Sequence, residues 1–201
     1  LVPLVKRYDA ALLVDDAHSL GVLGPHGEGT AAHWGMTDDV DLITGTFSKS
    51  LASIGGFVAG DDVVIHYLRN HARTQIFSAS MPPSAVATVR TALQIIRDEP
   101  ERRTRLWEVT KRMMAELTAM GYEIGPTETP IIPLLIGPMD VTFNVWRDAL
   151  DAGVFTNPVV PPAVPEGGCR LRTSYMATHT DEQLDFVLDV LEKAGKKYGV
   201  L

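Results

Sequence analysis

Ala11-Leu12-Leu13-Val14-Asp15-Asp16-Ala17-His18 and, further on, Val40-Asp41-Leu42-Ile43-Thr44-Gly45-Thr46-Phe47-Ser48-Lys49-Ser50 decide how this chain is read. Ala11–Val14 is short, wholly apolar and ends in acids. That is the pattern of a buried parallel strand whose C-terminal end meets a ligand. Val40–Thr46 reads as a second buried strand, and Gly56–Ala59 as a third, short one. Between the first two lies a glycine-rich loop, Gly21 to Thr30, with Pro25 inside it. An α/β fold follows, with ligand chemistry expected at one end of a mostly parallel sheet.

Outward from these segments the pattern becomes helical. Asp61–His71 carries an apolar face through Val64 and Leu68, and Ser84–Arg97 repeats Val86, Val89, Leu93 and Ile96. Asp98-Glu99-Pro100 breaks that helix, and Glu101–Met120 is amphipathic again through Leu106, Val109, Met113, Leu117 and Met120. Strand Ile131–Ile136, helix Val141–Ala152, a strand near Val154–Thr156, strand Cys169–Tyr175 and helix Asp181–Lys193 complete an α+β layer. The expected division is residues 1–98, part of a large domain, and residues 99–201, a small C-terminal domain. Leu1-Val2-Pro3-Leu4-Val5-Lys6-Arg7-Tyr8 lacks an initiator methionine and reads like the end of a helix. The sheet needs further strands, so the chain reads as the C-terminal part of a longer polypeptide whose N-terminal half is absent.

A net charge of −7 and a pI near 5.3 argue against a nucleic-acid binder that tracks phosphates. No apolar stretch has the length of a membrane span. The single cysteine, Cys169, excludes an intramolecular disulfide and a multi-cysteine zinc site, and reads as a small core residue. A cytoplasmic enzyme is the expectation.

Ser48 stands where a P-loop requires glycine before its lysine, and Gly24-Pro25-His26-Gly27-Glu28-Gly29 does not fit G-x-G-x-x-G. His26 and His33 have no ligand-like spacing with other donors, so no metal is assigned. Lys49 read alone is a solvated loop lysine. Buried beside a sheet, such an amine becomes a nucleophile. Thr46 and Ser48 alternate with Phe47, which turns both hydroxyls to one side. Asp15 and Asp16 point to opposite faces if the strand continues, so only one can meet a given ligand. His18 shares a side with Asp15 or is a hydrogen-bonded structural histidine. Pyridoxal phosphate needs an amine for its aldehyde, donors for its phosphate and a negative charge at its ring nitrogen. Lys49, Thr46 with Ser48, and Asp15 supply that set. Arg170 and Arg172 alternate on their strand. One of them can clamp a carboxylate bidentately, or the pair lies on a solvated edge strand.

Five segments together resemble one family: Asp15-Asp16-Ala17-His18-Ser19-Leu20-Gly21, Gly27-Glu28-Gly29-Thr30, Thr44-Gly45-Thr46-Phe47-Ser48-Lys49, Phe77-Ser78-Ala79-Ser80-Met81-Pro82-Pro83 and Arg170-Leu171-Arg172. In this order they look like the α-oxoamine synthases, fold-type-I pyridoxal-phosphate transferases that join an amino acid to an acyl-CoA with loss of CO₂. The resemblance implies that Lys49 carries the cofactor, that Asp15 pairs with the pyridine nitrogen and that His18 bonds the phenolic oxygen. It implies phosphate contacts from Thr46 and Ser48, a substrate carboxylate on Arg172, and a homodimer in which Ser80 lies near the partner's phosphate. The family's ring-stacking residue and glycine-rich phosphate turn find no match in this chain. Phe47-Ser48-Lys49-Ser50, Ser19 and Ala163, the last in place of a threonine, favour the branch that uses serine and a long-chain acyl-CoA, in sphingolipid biosynthesis. The alternative is the branch that uses alanine and pimeloyl-CoA, in biotin biosynthesis. An expectation of another class is a catalytically silent fragment or scaffold.

Overall fold

After a short helix, Val2–Arg7 (α1), strands Leu13–Asp15 (β1) and Leu42–Thr46 (β2) run parallel, with Leu13 opposite Leu42 and Asp15 opposite Thr44. A computed structural model describes residues 1–201. Parallel neighbours need a crossover. Here it is the glycine-rich loop, the short helix Thr30–His33 (α2) and a 3₁₀ turn at Thr37–Asp39. Gly56–Gly60 (β3) then returns antiparallel along β2, so the sheet order is β1-β2-β3. An antiparallel return needs only a turn, and that turn carries Lys49.

The chain forms two compact units, Leu1–Arg103 and Thr104–Leu201. The division falls within a helix, Pro100–Met120, rather than at the Asp98-Glu99-Pro100 break.

In the first unit, helices Asp62–His71 (α3), Arg73–Ile76 (α4) and Pro83–Asp98 (α5) follow the sheet. The Asp61 carboxylate caps α3 by accepting the Val63 N–H at 2.8 Å. Within this chain β1 stands at one end of the sheet order, and Leu13 is 55% exposed. Two helix expectations change. Helix α5 turns Ala85, Val89, Ala92 and Ile96 inward, while Val86 and Leu93 of the expected stripe are exposed. Likewise Ile65 and Leu68 form the inner side of α3, and Val64 is exposed.

The second unit has an antiparallel sheet of Ile131–Gly137 (β4), Asn157–Val159 (β5) and Cys169–Ser174 (β6), in the order β4-β6-β5. Three helices accompany it: Pro100–Met120 (α6), Met139–Asp151 (α7) and Asp181–Lys197 (α8). Thr180 and Gln183 form a reciprocal capping box at the start of α8. Val109, Met113 and Leu117 of α6 pack with Ile132, Leu134, Val145, Leu171, Leu184, Leu188 and Leu191 in one core. The strand expected near Val154–Thr156 lies instead at Asn157–Val159, and the Thr156 carbonyl just before it accepts the Trp146 indole N–H at 3.1 Å. Pro158 is accommodated because β5 is an edge. Strand β6 is central, which removes the edge-strand reading of its two arginines. No helix is long and apolar enough to cross a membrane.

Candidate active site

The ladder between β1 and β2 ends where the chemistry-bearing residues begin. Asp15 is the last residue of β1, opposite Thr44, and the Asp16 N–H extends the pairing by donating to the Thr44 carbonyl at 2.7 Å. The chain then turns, and the two aspartates separate. Asp15 is exposed at the strand end and its Oδ1 accepts the Ala17 N–H at 2.9 Å. Asp16 is buried, and its Oδ1 accepts the Ser19 hydroxyl and, at 2.9 Å, the Thr30 N–H that opens α2. His18 lies in the same turn and, like Asp15, is exposed.

Strand β2 ends at Thr46 and leads into a closed turn. The Phe47 N–H donates to the Gly55 carbonyl at 3.0 Å and the Ser53 N–H to the Phe47 carbonyl at 2.7 Å. At its tip the Ala52 N–H donates to the Lys49 carbonyl at 2.9 Å, with Ala52 held at φ 49°. Lys49 and Ser48 are exposed, so this unit does not bury the amine as a desolvation argument requires. The Thr46 and Ser48 hydroxyls lie 2.9 Å apart, on one side of the turn. Gly45 is buried beneath the Phe57 ring, which a Cβ would strike at 2.6 Å, and Phe57 stacks with Phe47.

Two further segments brace this turn. The Ser53 hydroxyl donates to the Ala85 carbonyl at 3.1 Å in the first turn of α5, and Met81 packs where a Gly55 Cβ would stand. These contacts tie the Phe77–Pro83 stretch, with exposed Ser78, Ala79 and Ser80, to the lysine turn. Gly21, at φ 80°, brings the glycine-rich loop against Ser50. Its Glu28 carboxyl is held below the usual range: burial opposes this, and hydrogen bonds from the His26 and Glu28 N–H groups outweigh it.

The first unit thus joins Asp15, His18, Thr46, Ser48 and Lys49 at the C-terminal ends of two adjacent parallel strands, the position at which open α/β sheets bind ligands. Arg172 belongs to the second unit. It is half-buried, opposite Pro133 and Asn157, on the sheet face away from that unit's core. Arg105 and Arg112 of that unit are taken up in ion pairs with Asp181, Asp185 and Glu116, while Arg172 is in none. Arg170 spends its Nε–H on the Gly168 carbonyl at 3.0 Å. No group of three or more His, Cys, Asp or Glu side chains is arranged to hold a metal ion.

The sequence did not reveal the bracing roles of Asp16, Gly29, Ser53 and Met81, although Asp16, Gly29 and Met81 lie in the segments that carry the family resemblance. In the structure a Cβ at Gly29 would overlap the Asp16 carboxylate.

Residues 1–191 match the family described as aminotransferase class I and II. Serine palmitoyltransferase of Sphingobacterium spiritivorum is 52% identical over 98% of this chain and 49% of that protein. An 8-amino-7-oxononanoate synthase of Lysinibacillus sphaericus is 42% identical over 100% of this chain and 52% of that protein. A solved structure of SPT with its PLP internal aldimine superposes with a TM-score of 0.94 at 37% identity, over 100% of this chain and 51% of that one. The chain spans about half the length of the curated relatives it matches. The fold is that of the fold-type-I enzymes, as the α/β reading expected. The chain belongs to the aminotransferase class I and II family, and its resemblance within that family is to the α-oxoamine synthases.

Proposed function

We propose that the protein containing this chain is a pyridoxal-phosphate-dependent acyltransferase that condenses serine with a long-chain acyl-CoA and releases CoA and CO₂. The observation that carries it is the junction of an exposed carboxylate, an amine turn and two hydroxyls 2.9 Å apart at neighbouring parallel strand ends. That donor set fits pyridoxal phosphate. The identity to serine palmitoyltransferase supports the choice of serine.

Lys49 would hold the cofactor aldehyde through its amine, and the same amine, once free, takes and returns a proton at the amino acid α-carbon. Asp15 would keep the ring nitrogen protonated, and His18 would bond the phenolic oxygen. Thr46 and Ser48 would donate hydroxyl hydrogen bonds to the phosphate, and the Ser80 segment would do so from the other subunit of a homodimer. Arg172 holds the substrate carboxylate until it leaves as CO₂. The cofactor supplies the electron sink for the α-carbon. A cytoplasmic location belongs to the same proposal.

The relatives named 8-amino-7-oxononanoate synthase favour a second reading, alanine with pimeloyl-CoA. CoA release measured over a grid of amino acids and acyl-CoAs separates the two. A long-chain enzyme loses kcat/KM as the acyl chain is shortened, because each buried methylene contributes about 0.8 kcal/mol. Faster turnover with alanine and pimeloyl-CoA would select the second reading. Absence of turnover with every pair, in cofactor-loaded protein, would leave the silent scaffold.

A further inference from the structure

Asp16 occupies a place that the reaction does not explain. It is 1% exposed, and one of its carboxylate oxygens, Oδ2, is buried with no hydrogen-bond partner. Removing a carboxylate from water and leaving one oxygen unpaired opposes folding. Stability alone therefore gives no reason for an acid here, since a well-packed apolar side chain avoids that cost.

What the acid does is join three segments. Its N–H donates to the Thr44 carbonyl at 2.7 Å, in the strand that leads to Lys49. Its carbonyl accepts the Ser19 and Leu20 N–H groups at 3.2 and 3.1 Å. Its Oδ1 takes the Ser19 hydroxyl and the Thr30 N–H. Its Oδ2 faces Gly29, whose φ of 121° and missing Cβ let the start of α2 approach so closely. His18 sits between two residues that the aspartates fix: Ala17, whose N–H is held by Asp15, and Ser19, held by Asp16.

We propose that Asp16 is a positioning residue of this site: its buried carboxylate, through Ser19 and Thr30, sets the turn that aims Asp15 and His18 at the cofactor. The inference rests on the reading that this site binds pyridoxal phosphate. It assigns no contact between Asp16 and the cofactor. Asn at this position keeps an oxygen for Ser19 and Thr30 with the same shape, whereas Ala removes it. Ala at position 29 displaces the carboxylate without altering it.

The test uses the full-length protein with D16A, D16N, S19A and G29A. Three quantities are measured: the Kd for pyridoxal phosphate, the pH dependence of the bound cofactor's absorption spectrum, and the Tm of the apoprotein. Val109→Ala, in the core of the other unit, is the control that lowers Tm and leaves the other two unchanged. Loss of the anchoring hydrogen bonds is expected to raise Kd about tenfold in D16A and G29A, and about threefold in S19A. In D16A and G29A the spectral pH profile shifts as well. D16N is expected to stay near wild type in Kd and profile, which a role for the charge itself would not allow. Wild-type Kd and profile in D16A, or D16N as impaired as D16A, overturns the proposal. Where D16A does not fold, S19A and G29A decide, and unchanged Kd and profile in both overturns it. A wild-type protein that binds no pyridoxal phosphate overturns the functional reading, a result distinct from any of these.

Discussion

Asp15 stands opposite Thr44 on parallel strands, and the chain from Thr44 reaches Lys49 by the end of a single turn. Neighbouring strands lie about 4.8 Å apart. The carboxylate and the amine turn are therefore placed by backbone pairing, and side-chain packing has only to orient them. The hydroxyls of Thr46 and Ser48 lie between the two in sequence and share one side of the turn. A site built this way tolerates change in its helices better than change in the register of β1 on β2.

Lys49 is the first residue to test. Borohydride reduction of the cofactor-loaded protein should fix pyridoxal phosphate on the peptide that contains Lys49. K49A should lose at least about 10³-fold in kcat, as expected when a general base that is also the attachment point is removed. K49R should be equally inactive, because its guanidinium stays protonated and does not take the α-proton. Label on the peptide containing Lys6 or Lys111 would move the site elsewhere.

Asp15→Asn keeps the shape and the acceptor for the Ala17 N–H but removes the charge. If the charge acts at the ring nitrogen, kcat should fall about 10²-fold or more, with much less effect on the KM for acyl-CoA. Equal loss in KM and none in kcat would make Asp15 a binding residue only.

The parallel strands, the lysine turn and the amphipathic helices of the second unit were legible because each follows from a local pattern: an apolar run, a turn residue or a helical period. Asp16 was not, because its burial depends on Thr30, which is distant in sequence and brought near only by the glycine-rich loop. The exposed stripe of α5 misled for a related reason. Periodicity marks an apolar face but does not say which part of it this chain covers, and Val86 and Leu93 remain exposed. The displaced β5 shows a third limit, since the Thr156 carbonyl before it is paired with the Trp146 indole, a contact from another element that a local strand pattern does not carry.

Arg172 offers a test of substrate binding. A bidentate guanidinium clamp on a carboxylate is not reproduced by a point charge. Arg172→Lys should therefore raise the KM for the amino acid by about tenfold or more, and Arg172→Ala by more still, from the 1.5–3 kcal/mol typical of a charged hydrogen bond. The KM for acyl-CoA should change little in either. Arg170→Lys, at a side chain whose Nε is committed to the Gly168 carbonyl, should leave the amino-acid KM near wild type. The reverse order of effects would transfer the carboxylate to Arg170.

Tyr122 provides a pH test in the second unit that is independent of the active site. Its hydroxyl donates to the Leu191 carbonyl at 2.8 Å and its ring is buried in the core. Burial disfavours the phenolate and pushes the phenol up from 10.0 to about 12. A folded-state value above the unfolded one gives stability that is complete below pH 10 and lost as pH rises from about 10 to about 12. Tyr122→Phe should cost about 1 kcal/mol at neutral pH through the lost hydrogen bond. It should also remove this residue's part of the alkaline loss, which for a rise from 10.0 to about 12 exceeds about 1 kcal/mol, so the two stability curves converge above pH 10 and then cross. Urea unfolding of both proteins across that range, followed by far-UV circular dichroism, measures the difference directly. Stability curves that stay parallel through pH 12 would show that folding does not raise the Tyr122 phenol.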